Sequence, residues 1–216
     1  MIKLALILFI TLACSSCSTF FTAEQLYDVV KDSYFTDKTI PVDSTYYDGK
    51  SYSFLKVSFG NKPPIILSLA FINNNIFQWV SEDGVSLYTK NGRVIKTEGL
   101  EHDVSIISSN PNSISWKDIS ENQFIYSVNL SNPDFLSASI VENKKFVDYM
   151  DITKIEDGKK VKVKKIHGFG SIEQIKWRYK NLYYINEETG ILEKSVQHIH
   201  PRLEPLHLQF YFKYRK

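Results

Sequence analysis

The chain has 216 residues, 43% of them hydrophobic and 14% aromatic, enough for one domain with a substantial core. A formal net charge of +2 implies no global attraction to polyanions, and 22 Lys against 4 Arg argues against a reader of nucleic-acid bases, which relies on bidentate arginine. Both cysteines, Cys14 and Cys17, fall within the first 17 residues, which excludes a disulfide framework, a cysteine metal site and a cysteine nucleophile from the rest of the chain.

Residues 1–13 read as an export signal. Lys3 supplies a minimal positive region, and Leu4–Ala13 is an apolar run too short to span a bilayer as a permanent helix. It ends in Ala13-Cys14, which resembles the lipobox of bacterial lipoproteins, with Ser16-Cys17 as the alternative. The favoured lipid attachment site is therefore Cys14. Acyl chains on one cysteine contribute ~0.8 kcal/mol per buried CH₂ and anchor stably when there are two or more. The residue after either cysteine is Ser rather than Asp, which by resemblance to the bacterial sorting rule implies the outer membrane, facing the periplasm. Residues 14–21 form a tether, and 22–216 a single β-rich periplasmic domain.

Thr22-Ala-Glu-Gln25 reads as a capping box opening an N-terminal helix to about Phe35, with Leu26, Val29, Val30 and Tyr34 on one stripe. From Tyr46 the pattern turns to strands: Tyr52–Phe59, Ile65–Ile72 and Ile76–Val80, separated by Gly60–Pro64 and Asn73–Asn75. Trp79–Leu100 follows as a three-stranded meander about Asp83-Gly84 and Asn91-Gly92, dipeptides suited to type I′ turns. Two-residue loops at both would set Trp79 opposite Tyr88, and Tyr88 opposite Ile95. One face would then carry Phe77, Trp79, Tyr88 and Ile95, and the other Ile76, Val80, Val85, Leu87 and Val94. Beyond Leu100 the pattern loosens through Asn110–Asn112, as a short helix or an irregular crossing. Further strands read at Gln123–Leu130, Phe135–Val141, Phe146–Ile152, Lys159–Ile166, Ile175–Tyr179, Leu182–Asn186, Ile191–Ile199 and Leu206–Tyr214. The fold class is mainly β: a single domain of antiparallel meander strands forming a curled sandwich or barrel-like body, with one N-terminal α-helix.

Chemistry-bearing motifs are sparse. Gly168-Phe-Gly170 lacks the spacing of a phosphate cradle, and no G-x-S-x-G occurs. His198 and His200 are the only pair at metal-ligand spacing on a strand. No spacing nominates a third ligand, so they read as structural, and neither a metal nor another cofactor is expected. The triplet about His102 is unspecific. Trp79, Trp116 and Trp177 are candidate sugar-stacking rings whose commoner use is packing. Lys160, Lys162 and Lys164 share a strand face opposite Val161 and Val163. That face reads as solvated, or as a basic ridge for an anionic polysaccharide or lipid headgroup, its charges reinforcing one another within ~10 Å.

Two sets of residues carry a family likeness. Trp79-Val-Ser-Glu-Asp-Gly84, Leu87, Thr89, Asn91-Gly-Arg93 and Thr97-Glu-Gly-Leu100 form the first. Tyr184, Thr189-Gly190, Lys194-Ser195, Gln197 and Pro201 form the second. In order and spacing they resemble the YjbF/GfcB lipoproteins associated with group 4 capsule and exopolysaccharide export. The middle section, Ser105–Lys165, offers no motif to match. The resemblance implies an outer-membrane lipoprotein acting as a non-catalytic accessory component of polysaccharide secretion or assembly. Its partners would be proteins of that machinery and an anionic polysaccharide, not nucleic acid. Trp79, Asp83, Arg93 and Gln197 match family positions and are the candidate contacts to a partner or glycan, or supports of the fold. A periplasmic glycan-modifying enzyme and a lipid or lipoprotein carrier are the alternatives.

Overall fold

The computed structural model describes residues 42–109 and 123–213. The expected helix from Thr22 to Phe35, the signal, Cys14, Cys17 and Trp116 all lie outside the described residues. The described residues belong to one unit. Twelve antiparallel strands each pair with their neighbour in sequence, and the last pairs with the first, closing a barrel. They are β1 (Phe54–Phe59), β2 (Ile65–Asn73), β3 (Ile76–Val80), β4 (Ser86–Lys90), β5 (Arg93–Glu98) and β6 (Val104–Ser109). The second half comprises β7 (Gln123–Leu130), β8 (Phe135–Thr153), β9 (Lys160–Ile172), β10 (Trp177–Asn186), β11 (Leu192–Gln197) and β12 (Leu206–Tyr211). Closure leaves no sheet edge around the barrel wall and separates an interior from an exterior face. Of the two architectures expected, the barrel is the one formed.

A short helix that the sequence pattern did not suggest, α1 (Ser44–Asp48), precedes β1. Asp43 caps it by accepting from the Tyr46 N–H at 2.8 Å. Tyr47 packs with Phe54 and Tyr211 on the outside of β1 and β12, and Ile155 from the β8–β9 connection joins this small second core. β8 and β9 are long: beyond Asn143, β8 pairs only with β9. The resulting ribbon is pinned near its tip by Lys154, whose ammonium lies 3.1 Å from the buried Glu193 carboxylate.

The meander keeps its strands but not the expected register. Trp79 pairs with Leu87, not Tyr88. The first loop has three residues, Glu82–Gly84, closed by the Ser81 N–H donating to the Val85 carbonyl at 2.9 Å. Only Gly84 there has positive φ, so a type I′ turn does not form. The Ser81 hydroxyl also accepts from the Val85 N–H at 3.0 Å and fills out the longer loop. At the second turn both Asn91 and Gly92 have positive φ, and Lys90 faces Arg93 as a two-residue loop requires. A bulge then displaces Ile95, so Tyr88 meets Lys96. Trp79, Leu87, Thr89, Val94 and Thr97 are therefore buried, while Tyr88 lies outside and donates to Glu98 at 2.6 Å.

Three further boundaries differ. β6 occupies the stretch read as a helix or crossing, because a bulge between Ile106 and Ser108 breaks its two-residue period. Phe135–Val141 and Phe146–Ile152 are one strand, β8, and Ile175–Tyr179 and Leu182–Asn186 merge into β10 after a 3₁₀ turn at Glu173–Ile175. The polar stretches taken as breaks, Glu142–Lys145 and Lys180–Asn181, run straight through the sheet.

Candidate functional site

Alternate residues of those polar stretches, Glu142, Lys144 and Asn181, face inward. Along β7, Phe124, Tyr126, Val128 and Leu130 are buried in alternation; so are Ala138, Ile140, Glu142 and Lys144 along β8, and Tyr179, Asn181, Tyr183 and Ile185 along β10. The interior thus has an apolar part, with Leu55, Leu67, Trp79, Leu87 and Leu208, and a polar part centred on Glu142.

Arg93 enters the polar part from the β4–β5 turn. Its Nη2 donates to Glu142 Oε2 and, at 2.9 Å, to the Tyr126 hydroxyl. Glu142 also accepts from the hydroxyls of Tyr179 and Tyr183, each at 3.2 Å, and from Asn181 Nδ2 at 3.3 Å. Tyr126 and Tyr179 hydroxyls lie 2.9 Å apart. The guanidinium carbon sits over the rings of Phe124 at 5.1 Å and Tyr126 at 4.8 Å, and the Lys144 ammonium lies 3.5 Å from the Phe124 ring centre. Burial opposes charge on Arg93, yet Glu142 and then the surrounding phenols outweigh it and raise its pKa well above the ordinary value. Burial likewise pushes the phenols of Tyr126, Tyr179 and Tyr183 upward, so all three are neutral donors at physiological pH. A buried carboxylate persists only when its lone pairs are bonded, and four donors on Glu142 meet that need.

Two glycines make the room. A Cβ at Gly168 would collide with Glu142 and Tyr183, and one at Gly170 with the ring and hydroxyl of Tyr179. Gly168 and Gly170 accordingly leave an inward-facing gap in β9 that these side chains fill. The Arg93 Nη1 and His198 Nδ1 atoms are buried without a bonding partner among the described residues. Both residues line a cavity of ≈ 20 Å³, room for about one water.

The family-position residues divide clearly. Trp79 is wholly buried, and its indole N–H donates to Thr89 Oγ1 at 2.8 Å. Gln197 staples the turn before Arg93: its Nε2 donates to the Gly92 carbonyl at 2.9 Å and its Oε1 accepts from the Val94 N–H at 3.0 Å. Arg93 thus meets a carboxylate within the fold. Asp83 is exposed on the first turn and accepts from Ser81 Oγ. Glu142, Tyr126, Tyr179, Asn181 and Tyr183 had no sequence signal except the polar interruptions of otherwise apolar strands.

His198 and His200 do not face one ligand together. His198 stacks on Tyr179, whereas His200, beyond the end of β11, lies parallel to His102 with ring centres 5.0 Å apart. Burial, followed by the neighbouring His102, lowers the His200 pKa to about 4. Among the described residues no group of three His, Cys, Asp or Glu is placed to hold a metal ion. Trp177 is half-buried against Tyr179, 4.5 Å between ring centres. Lys160 and Lys162 are exposed on the ribbon, where Lys162 pairs with Glu187 at 3.1 Å.

A closed antiparallel barrel with a packed, partly ionic interior defines a class of β proteins whose accessible chemistry lies on the outer wall and loops. The family model of group 4 capsule polysaccharide lipoproteins, YjbF (GfcB), matches residues 28–211, and the chain belongs to that family. A crystal structure of the hypothetical lipoprotein YmcC from Escherichia coli K12 has a similar fold, with a TM-score of 0.65 and 16% identity, covering 92% of this chain and all of that one. No curated protein matches in sequence.

Proposed function

We propose that this protein is an outer-membrane lipoprotein, anchored through Cys14 and facing the periplasm, that acts as a non-catalytic accessory component in the secretion or assembly of capsule or exopolysaccharide. Membership of a capsule polysaccharide lipoprotein family over residues 28–211 carries the reading. The interior agrees with it: Glu142 is fully buried and its charge is used to bind Arg93, Asn181 and two tyrosines. Proteins of the secretion machinery are its partners. Deleting the gene tests the role. The expected result is less, or shorter, surface polysaccharide, restored by the native gene and not by Cys14→Ala. Unchanged amount and length would overturn it.

A further inference from the structure

The exterior wall carries a cross-strand row that the interior packing fixes. Val57, Leu208, Ser195, Tyr183 and Ile166 are mutually paired across β1, β12, β11, β10 and β9 and are all buried. Strand alternation therefore turns their neighbours outward, and these pair as Lys56–Gln209–Lys194–Tyr184–Lys165, with Asp148 of β8 next to Lys165. A second outward row, Ser58–His207–Val196–Leu182–His167–Lys145, lies beside it. Four strand spacings place Lys56 and Lys165 about 19 Å apart along the row.

A groove of ≈ 350 Å³ runs over this wall, lined by Lys56, Tyr184, Lys194, His207 and Gln209 among others. The Lys194 ammonium lies 4.5 Å from the Tyr184 ring centre, and that of Lys180 lies 5.8 Å from the half-exposed ring of Phe169. None of Lys145, Lys165, Lys180 and Lys194 forms an ion pair among the described residues. Their field is concentrated: after burial, Lys180, Lys165 and Lys145 are what lower the pKa of His167. Asp148 is the carboxylate within the rows.

We propose that this groove binds a linear acidic polysaccharide, its carboxylates meeting Lys56 and Lys194 in the groove and then Lys165 next along the row, with a sugar ring resting on Tyr184. The proposal deepens the proposed function and rests on it for the class of polymer. Evenly spaced cations along a strand-crossing groove suit a chain with one negative charge per repeat. A half-buried tyrosine ring lining the groove suits the apolar face of a sugar. A lipid surface is the poorer match, because it is flat and the groove is concave and lined with polar side chains.

The test is titration calorimetry of the full chain in detergent with a polygalacturonate oligosaccharide, with uncharged dextran and phosphatidylglycerol vesicles as comparators. Saturable polygalacturonate binding is expected, weakening as salt is raised. The pair Lys165→Gln/Lys194→Gln should bind about tenfold more weakly. Lys160→Gln/Lys162→Gln, on the ribbon, should bind as the native protein does, and circular dichroism checks that both variants fold. Lack of binding, equal loss in both variants, or binding to vesicles alone would overturn the proposal. If polygalacturonate fails to bind while gene deletion still lowers surface polysaccharide, the groove assignment falls and the proposed function stands. If deletion changes nothing, the function falls whatever the groove binds.

Discussion

The two ends of one charge inventory behave differently. Inside the barrel, Arg93 and Glu142 are almost wholly removed from water, and every bond they make is to the fold. Outside, Lys162 on β9 pairs with Glu187 of the β10–β11 turn, and both stay partly in water. Burial magnifies the consequence of losing a partner, while solvent replaces a lost surface partner at almost no cost. The inner charges therefore hold the fold and the outer ones are free to meet other molecules.

The sharpest way to break this contrast is to remove one inner partner. Glu142→Ala leaves a buried guanidinium without its counter-ion and should cost about 4 kcal/mol in urea unfolding followed by tryptophan fluorescence. Replacing both charges, as Arg93→Met with Glu142→Leu, should recover only part of that loss: it removes the unpaired guanidinium but takes the shared acceptor from Tyr179, Tyr183 and Asn181. A loss below about 1 kcal/mol for Glu142→Ala would mean that water reaches the pair and that inner and outer charges are alike.

The same contrast explains what could be read in advance. Alternation and turn dipeptides locate most strands, and Arg93 and Gln197 stand out by their place in the family motif. Glu142 does not, because it lies in the middle stretch without motifs and looks like part of a turn. Asn181 is hidden in the same way. A polar residue facing inward breaks the apolar period that strand recognition uses, so the interior site erases its own signal. Register failed for a local reason: Asp83-Gly84 and Asn91-Gly92 look equivalent, yet only the second has positive φ at both residues. Which loop forms is decided by the Ser81 hydroxyl and by burying Trp79 opposite Leu87.

A titratable group sharpens the comparison from the buried side. His200 is buried beside His102, with a pKa near 4 when folded against about 6.5 when unfolded. Between those values the unfolded chain takes up a proton that the folded chain refuses, so stability rises with pH across that window. Acidification from 6.5 to 4 should cost up to about 3 kcal/mol. His167 and His198 shift in the same direction. His200→Gln should flatten the pH profile of urea midpoints; an unchanged profile would assign the slope to other groups.

The smallest effect is expected outside, and it is informative for that reason. The Lys162 ammonium lies 3.1 Å from Glu187, a geometry that in the interior would matter greatly, but the lysine side chain is 56% exposed. Holding two flexible side chains in one arrangement offsets most of the Coulomb gain in water. Lys162→Gln should therefore change the unfolding free energy by less than about 0.5 kcal/mol, and raising the salt should shrink even that. A change of 2 kcal/mol or more would show that the ribbon shields the pair from solvent. The lysine face of the ribbon would then belong to the folding core and lose its standing as the control surface for polymer binding.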